Sequence, residues 1–232
     1  MVYKLQEWLF PPRCLVCGKR GANGKDICPS CLRQLPENTP SCSRCAQPLP
    51  SSQAAGSMCG SCARKEPPFR KIIAPWRYAT PLDELIQALK FRGKLPAGRL
   101  LGELLAERIA TESRPELLVP IPRHERQLRK HGLNQSSEIT RFLSRASGIP
   151  WSPWLLTKIR ETAAQHKLPR RRRLNNLKDC FAFDNQGDYR HIAVIDDIVT
   201  TGATAREAAL ALKKAGVRTV DIWAIARTPE QH

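Results

Sequence analysis

Eight of the nine cysteines fall in four C-x-x-C pairs, Cys14/Cys17, Cys28/Cys31, Cys42/Cys45 and Cys59/Cys62, and this spacing limits what the first quarter of the chain can become. The pairs form two consecutive half-motifs, C-x2-C-x10-C-x2-C and C-x2-C-x13-C-x2-C, an internal repeat. Two cysteines three apart can point at one ion, and four thiolates close a tetrahedral Zn2+ site. Such a site supplies folding free energy that a segment of about 60 residues with few large apolar side chains lacks. Two structural zinc sites are therefore expected. The repeat favours sequential pairing of the knuckles, and the spacing leaves crossed pairing open. Disulfides, the rival reading, need an oxidising compartment. A redox C-x-x-C needs a βαβ context that this region lacks. Cys180 stands apart and reads as a small buried hydrophobe.

The remainder is long enough, within 232 residues at 41% hydrophobic, for one α/β domain after the cysteine module. Glu66-Pro67-Pro68 marks the expected boundary, giving a double zinc-ribbon module over 1–66 and a second domain over 67–232. No stretch approaches ~18 consecutive apolar residues, so no membrane insertion is expected. Residues 1–12 have neither a long apolar region nor a small-residue cleavage site, so a cytoplasmic location is the expectation. The formal charge is +17, from 38 Lys+Arg against 21 Asp+Glu. That excess favours a polyanionic partner, since neutralised phosphates release counterions.

Residues 192–204, Ile-Ala-Val-Ile-Asp-Asp-Ile-Val-Thr-Thr-Gly-Ala-Thr, carry the chemistry. An apolar run ends in two acids, a Thr/Gly loop follows, and a helix-forming segment comes next. Asp196 and Asp197 can accept hydrogen bonds from vicinal ribose hydroxyls. The loop Thr200, Thr201, Gly202, Ala203 and Thr204 can offer hydroxyls and backbone N–H groups to a phosphate at a helix N-terminus, where the dipole favours an anion. Gly202 lets backbone approach the ligand with no Cβ in the way. There is no Gly-Lys-Ser/Thr of a Walker A loop and no G-x-G-x-x-G fingerprint.

Around this stretch, strands and helices alternate. A lead-in strand is expected over Ile72–Tyr78, interrupted by Pro75. Amphipathic helices over 81–90 (Leu82, Leu85, Ile86, Leu89) and 97–109 (Leu101, Leu104, Leu105, Ile109) form a helical cover, within 81–110, ahead of the ligand-binding core. The core opens with a buried strand at Leu117–Pro122. Asn134 caps a helix over 135–146 that stops at Gly148. A short strand is expected at Trp151–Leu156, the acid-bearing strand at Tyr189–Ile195, a helix at Ala203–Ala215 and a last strand at Val217–Ala226. Such alternation predicts a parallel, doubly wound sheet with its ligand site at the carboxyl ends of the strands.

The stretch 192–204 resembles the 5-phosphoribosyl-1-pyrophosphate (PRPP) motif of type I phosphoribosyltransferases. Further strings resemble the ComF/GntX family. Val119-Pro-Ile-Pro-Arg-His and Arg129-Lys-His-Gly-Leu-Asn-Gln135 look like its "V-P-x-P…R-G-F-N-Q" stretch, with His131 where Arg is usual and Leu133 where Phe is usual. Lys158-Ile-Arg-Glu-Thr-Ala-Ala-Gln-His-Lys-Leu168, with Arg170–Arg173 and Asn176-Leu-Lys, looks like its "R-x-T-x-x-Q…L…R…N-L" stretch. A cysteine module before a phosphoribosyltransferase domain is also that family's architecture. The resemblance covers nearly the whole chain. It implies a type I phosphoribosyltransferase fold and a role in DNA uptake or utilisation.

By that resemblance, the loop after the first core strand holds pyrophosphate through Arg123, while solvation of a loop by Arg123, Arg126 and Arg129 stays equally open. Segment 158–178 corresponds to a hood loop with Arg160, Thr162 and Gln165 as candidates. The same segment carries eight Lys/Arg against one acid. Lys167, Arg170, Arg171, Arg172 and Arg173 form a candidate nucleic-acid-binding patch, with a merely solvated face as the alternative. Trp151 and Trp154 can stack on bases or belong to the core. A working phosphoribosyltransferase would bind PRPP with Mg2+, and Asp197 could stabilise an oxocarbenium-like centre or act as base. No N-terminal catalytic cysteine suits glutamine chemistry. The expected ligands and partners are PRPP or a nucleotide, single-stranded DNA or other nucleic acid, and DNA-processing proteins. Catalysis in base salvage is the alternative to a binding role.

Overall fold

The computed structural model describes residues 11–54, 56–123, 132–160 and 178–229. Its centre is a parallel sheet of β1 (Lys71–Ile73), β2 (Trp76–Arg77), β3 (Leu117–Pro120), β6 (His191–Val199) and β7 (Thr219–Arg227). The order is β1/β2, β7, β6, β3, and every pairing is parallel. β1 and β2 are two pieces of one edge strand, separated where Pro75 has no N–H to give the ladder. This is the parallel sheet flanked by helices, behind a zinc-ribbon module, that the sequence predicts.

The strands carry near-continuous apolar runs because both faces are covered. On β6, Ala193 and Ile195 face one core and Ile192 and Val194 the other. The first core is closed by α3 (Leu82–Arg92), α4 (Leu95–Arg108) and α5 (Gln135–Ser147), through Leu85, Leu89, Leu101, Leu105, Ile139 and Leu143. The second is closed by α6 (Ala203–Lys214), through Ala205, Ala208, Ala209 and Leu212. Gly102 lets α4 touch α5, because a Cβ there would lie 2.8 Å from the Ile139 carbonyl oxygen. The Asn134 side chain accepts from the Ser136 N–H at 3.2 Å, and Gly148 ends α5 at φ 67°.

Two expectations need correction. Residues 151–156 do not form a strand of the main sheet. Trp151 makes a single bridge to Leu118, and Leu156–Lys158 (β4) pairs antiparallel with Phe181–Phe183 (β5) in a separate two-stranded sheet. Pro153 cannot donate to a ladder, and the chain leaves the sheet edge there. The acid-bearing strand also runs on to Val199, so the two acids lie within β6 rather than beyond its tip.

The cysteine module packs along the β1/β2 edge. Ile27, Cys28, Cys31 and Leu35 of the first half, which contains the short helix α1 (Pro29–Arg33), join the helical core with Trp76. Ala46 of the second half, which contains α2 (Gly60–Arg64), joins the α6 core with Phe69 and Ile72. Buried Asn38 donates to the Ala46 carbonyl at 2.9 Å and the Ala74 carbonyl at 3.0 Å, and Ile72 N–H donates to the Arg44 carbonyl at 2.7 Å. The edge strand is thereby covered, which removes a surface for chance strand pairing. At the amino ends of the strands, fully buried Asp221 takes both an Arg70 guanidinium and His191 Nε2, the latter at 2.9 Å. Burial pushes this carboxyl up, but the two partners outweigh it and hold it below the ordinary value.

Candidate functional site

The cysteines converge as two quartets, Cys14, Cys17, Cys28, Cys31 and Cys42, Cys45, Cys59, Cys62, each with all four sulfurs within 4.8 Å of one another. Pairing is therefore sequential. The Cys17 and Cys28 sulfurs are 3.7 Å apart and the Cys45 and Cys59 sulfurs 3.6 Å. A tetrahedron with Zn–S bonds of about 2.3 Å has edges of about 3.8 Å, so both quartets fit zinc. Backbone N–H groups point at the sulfurs, with Cys59 N–H 3.2 Å from Cys42 Sγ. Against the upward push of burial, these amides hold Cys14 down at about 6 and Cys42 at about 7. Burial, with the charges of Cys42 and Cys59 adding to it, pushes Cys45 up to about 12. Four sulfurs converging at this spacing suit a single shared cation, so the donor set fits a structural metal. Cys180 is fully buried, as expected of a packing residue.

At the carboxyl end of β6 lies a cavity of about 420 Å3. Asp196 and Asp197 line it from the strand, Arg123 from the end of β3, and Thr200, Gly202, Ala203 and Thr204 from the loop into α6. Thr201 faces a neighbouring cavity instead. Asp196 Oδ1 accepts from Ser136 Oγ at 3.3 Å and from the Asp197 N–H at 3.0 Å, while Asp197 Oδ1 accepts from the Ile198 N–H at 2.8 Å. Burial, then the adjacent charge of Asp197, lifts the Asp196 carboxyl well above its ordinary value. Arg123 is lowered by burial and drawn back by the Asp197 and Asp196 charges, so cation and acids share one field. The N-cap of α6 is Gly202 at φ 74°, which has no side chain to cap it, and Thr201 Oγ1 accepts from the Ala203 N–H at 3.4 Å. The helix start thus faces the cavity with its positive dipole end uncovered by an acid.

Sequence reasoning missed several participants. Ser136 fixes Asp196 from the first turn of α5, and Lys90, Lys158 and Phe181 add to the cavity wall. Gln135, which the sequence already set at the helix start as an orienting or capping residue, is 1% exposed and donates from Nε2 to the Lys90 carbonyl at 3.4 Å, tying α5 to α3. Arg227, only 2% exposed, is the largest omission. Its guanidinium donates to the Cys45 carbonyl at 3.2 Å, to the Val199 carbonyl at 3.1 Å and to the Thr200 carbonyl. One cation therefore joins the second cysteine quartet to the start of the threonine loop. A cationic residue closing an apolar strand, Trp-Ala-Ile-Ala-Arg, was the only signal available.

Of the hood candidates, Arg160 is exposed and donates to the Lys178 carbonyl at 2.7 Å. Thr162, Gln165, Lys167 and Arg170–Arg173 lie outside the described residues, as do Arg126 and Arg129. Trp151 packs against the helical core, and Trp154 is 80% exposed. Among the described residues no helix is long and apolar enough to cross a membrane.

A family model described as "Double zinc ribbon domain" matches residues 5–63. "DNA utilization protein YhgH" of Escherichia coli K12 is 33% identical over 225 residues, covering 94% of this chain and 98% of that protein. "Competence protein F" of Haemophilus influenzae is 31% identical over 228 residues, with 94% and 98% covered. "Competence protein ComFC" of Bacillus subtilis is 28% identical over 205 residues, with 82% and 79% covered. A solved hypoxanthine phosphoribosyl transferase of Trypanosoma cruzi superposes over 57% of this chain and 74% of that one at 12% identity, with a TM-score of 0.35.

Proposed function

The chain belongs to the ComF/GntX family, and from that premise we propose that it is a DNA-utilisation protein that binds PRPP or a nucleotide through a phosphoribosyl site and nucleic acid through its basic segments. The observation that carries the reading is the meeting of Asp196, Asp197, Arg123 and the threonine loop in one cavity at a helix start. The acids accept the ribose hydroxyls, Thr200 and Thr204 with the α6 amides hold the 5′-phosphate, and Arg123 pairs with anionic oxygens on the far side of the sugar. Mg2+ arriving with PRPP would neutralise pyrophosphate oxygens. The relatives' names supply the DNA context. Lys167 and Arg170–Arg173 are the proposed strand-contacting cations, and Arg160, Thr162 and Gln165 the proposed hood. Residues 1–66 and 67–232 are proposed as the two domains.

Calorimetry with PRPP, ribose 5-phosphate and nucleoside monophosphates in Mg2+ tests the site. Asp196→Ala with Asp197→Ala should abolish binding while the chain stays folded, and unchanged affinity would refute the assignment. Titration with single-stranded DNA at two salt concentrations tests the basic segments, and affinity indifferent to salt counts against them. The raised Asp196 favours a second reading, since a carboxyl that exchanges protons nearer neutrality suits catalysis. Pyrophosphate release from PRPP across a panel of bases would separate an active salvage enzyme from a binding protein.

A further inference from the structure

A second cavity, of about 640 Å3, lies between the second cysteine quartet and the back of the threonine loop. Gly202 lines both cavities, and a Cβ added there would meet nothing within 4 Å. The proposed phosphate cradle is therefore open on two sides. Among the described residues no acid lines the second cavity, whereas Arg64, Lys65 and Arg206 do, along with Arg227. A zinc tetrathiolate contributes a formal charge of about −2, so four cations leave the wall positive. Phe69 and Ile72 supply an apolar floor, and the side-chain oxygen of Gln47, another wall residue, is buried with no partner. Arg206 sits in the first turn of α6, where a cation opposes the helix dipole, so its place there is better explained by an anionic ligand than by helix stability. Cations, an apolar face and an unpaired acceptor together match a nucleotide: phosphate, base ring and exocyclic amine.

We propose that the two cavities together hold the 3′-terminal dinucleotide of a single nucleic-acid strand, with the bridging phosphodiester in the threonine loop, the last sugar on Asp196 and Asp197, and the preceding nucleotide in the second cavity. The proposal rests on the phosphoribosyl reading of the first cavity. Direction follows from chemistry. The acids require hydroxyl donors, so the sugar they hold carries a free 3′-OH, and the chain continues through its 5′-phosphate, past Gly202. A 3′-phosphate would set two further negative charges against the acid pair.

The test uses the full-length, zinc-loaded protein and four ligands: dTMP, dTpT, dTpT bearing a 3′-phosphate, and UpU. Because dTpT has no terminal phosphate, only its internal diester can occupy the loop. Expected are at least tenfold tighter binding of dTpT or UpU than of dTMP, and loss of binding when the 3′-phosphate is added. Lys65→Ala with Arg206→Ala should erase the dinucleotide margin and leave dTMP affinity unchanged. Overturning results are dTMP binding with no margin for either dinucleotide, or equal losses for dTMP and dTpT in the double variant. If neither dTMP nor ribose 5-phosphate binds, the phosphoribosyl reading itself falls, and this proposal with it.

Discussion

Arg227→Met removes the link between the second cysteine quartet and the threonine loop at nearly constant volume. The Val199 carbonyl keeps two donors, the Thr228 N–H at 3.0 Å and Thr228 Oγ1 at 3.1 Å. The Cys45 and Thr200 carbonyls lose a charged one. An orphaned carbonyl costs about 1–3 kcal/mol. Thr200 is exposed, so water replaces part of its loss, and removing a buried cation recovers some desolvation. The expected net destabilisation is about 2–3 kcal/mol, from urea unfolding with an unchanged m-value. The Thr200 carbonyl, once released, lets the loop wander, so ribose 5-phosphate affinity should fall about tenfold, or about 1.4 kcal/mol, while zinc content holds. Arg227→Lys should behave like the Met variant, because one ammonium nitrogen cannot stand in for both Nε toward the Cys45 carbonyl and Nη1 toward the loop carbonyls. A stability loss below about 0.5 kcal/mol with affinity intact would refute the coupling.

Metal analysis should give two zinc per chain, and a chelator should melt the cysteine module together with the β1/β2 edge it covers. Asp196→Asn should raise stability near pH 7 while weakening sugar-phosphate binding. The raised carboxyl imposes its penalty only as pH climbs from the unfolded-state value through the folded one, so wild type and variant should converge in acid; a variant less stable at neutral pH contradicts this. Asp221→Asn should cost about 1–2 kcal/mol near neutrality, because it leaves the partly exposed Arg70 and His191 without their anion. Its depressed carboxyl contributes fully above the unfolded-state value and fades as pH falls through the folded one, so the difference should shrink with acid. Gly102→Ala should destabilise by about 1–3 kcal/mol by wedging α4 off α5, and a variant as stable as wild type would show that the helices can slide apart freely.

Signals confined to a few neighbouring residues were legible in the one-dimensional chain. Four C-x-x-C pairs marked two metal quartets, Asn134 and Gly148 marked the ends of α5, and the run 192–204 marked a strand, an acid pair and a helix start, because capping and chelation act over a handful of residues. The Trp151–Leu156 expectation failed for the complementary reason: an apolar run of that length has no fixed partner until the sheet offers one. Everything that joins distant segments was decided by the fold. Ser136 reaches Asp196 across 60 residues, and Arg227 reaches Cys45 across 182. Neither contact has a period or spacing, since each exists only because burial brings the two elements to one place. The chain alone thus determined which chemistry could occur, and the tertiary packing determined that the cysteine module, the loop and the acids share one neighbourhood. Only there does a serine hydroxyl or a buried guanidinium acquire a carboxylate or a carbonyl to hold.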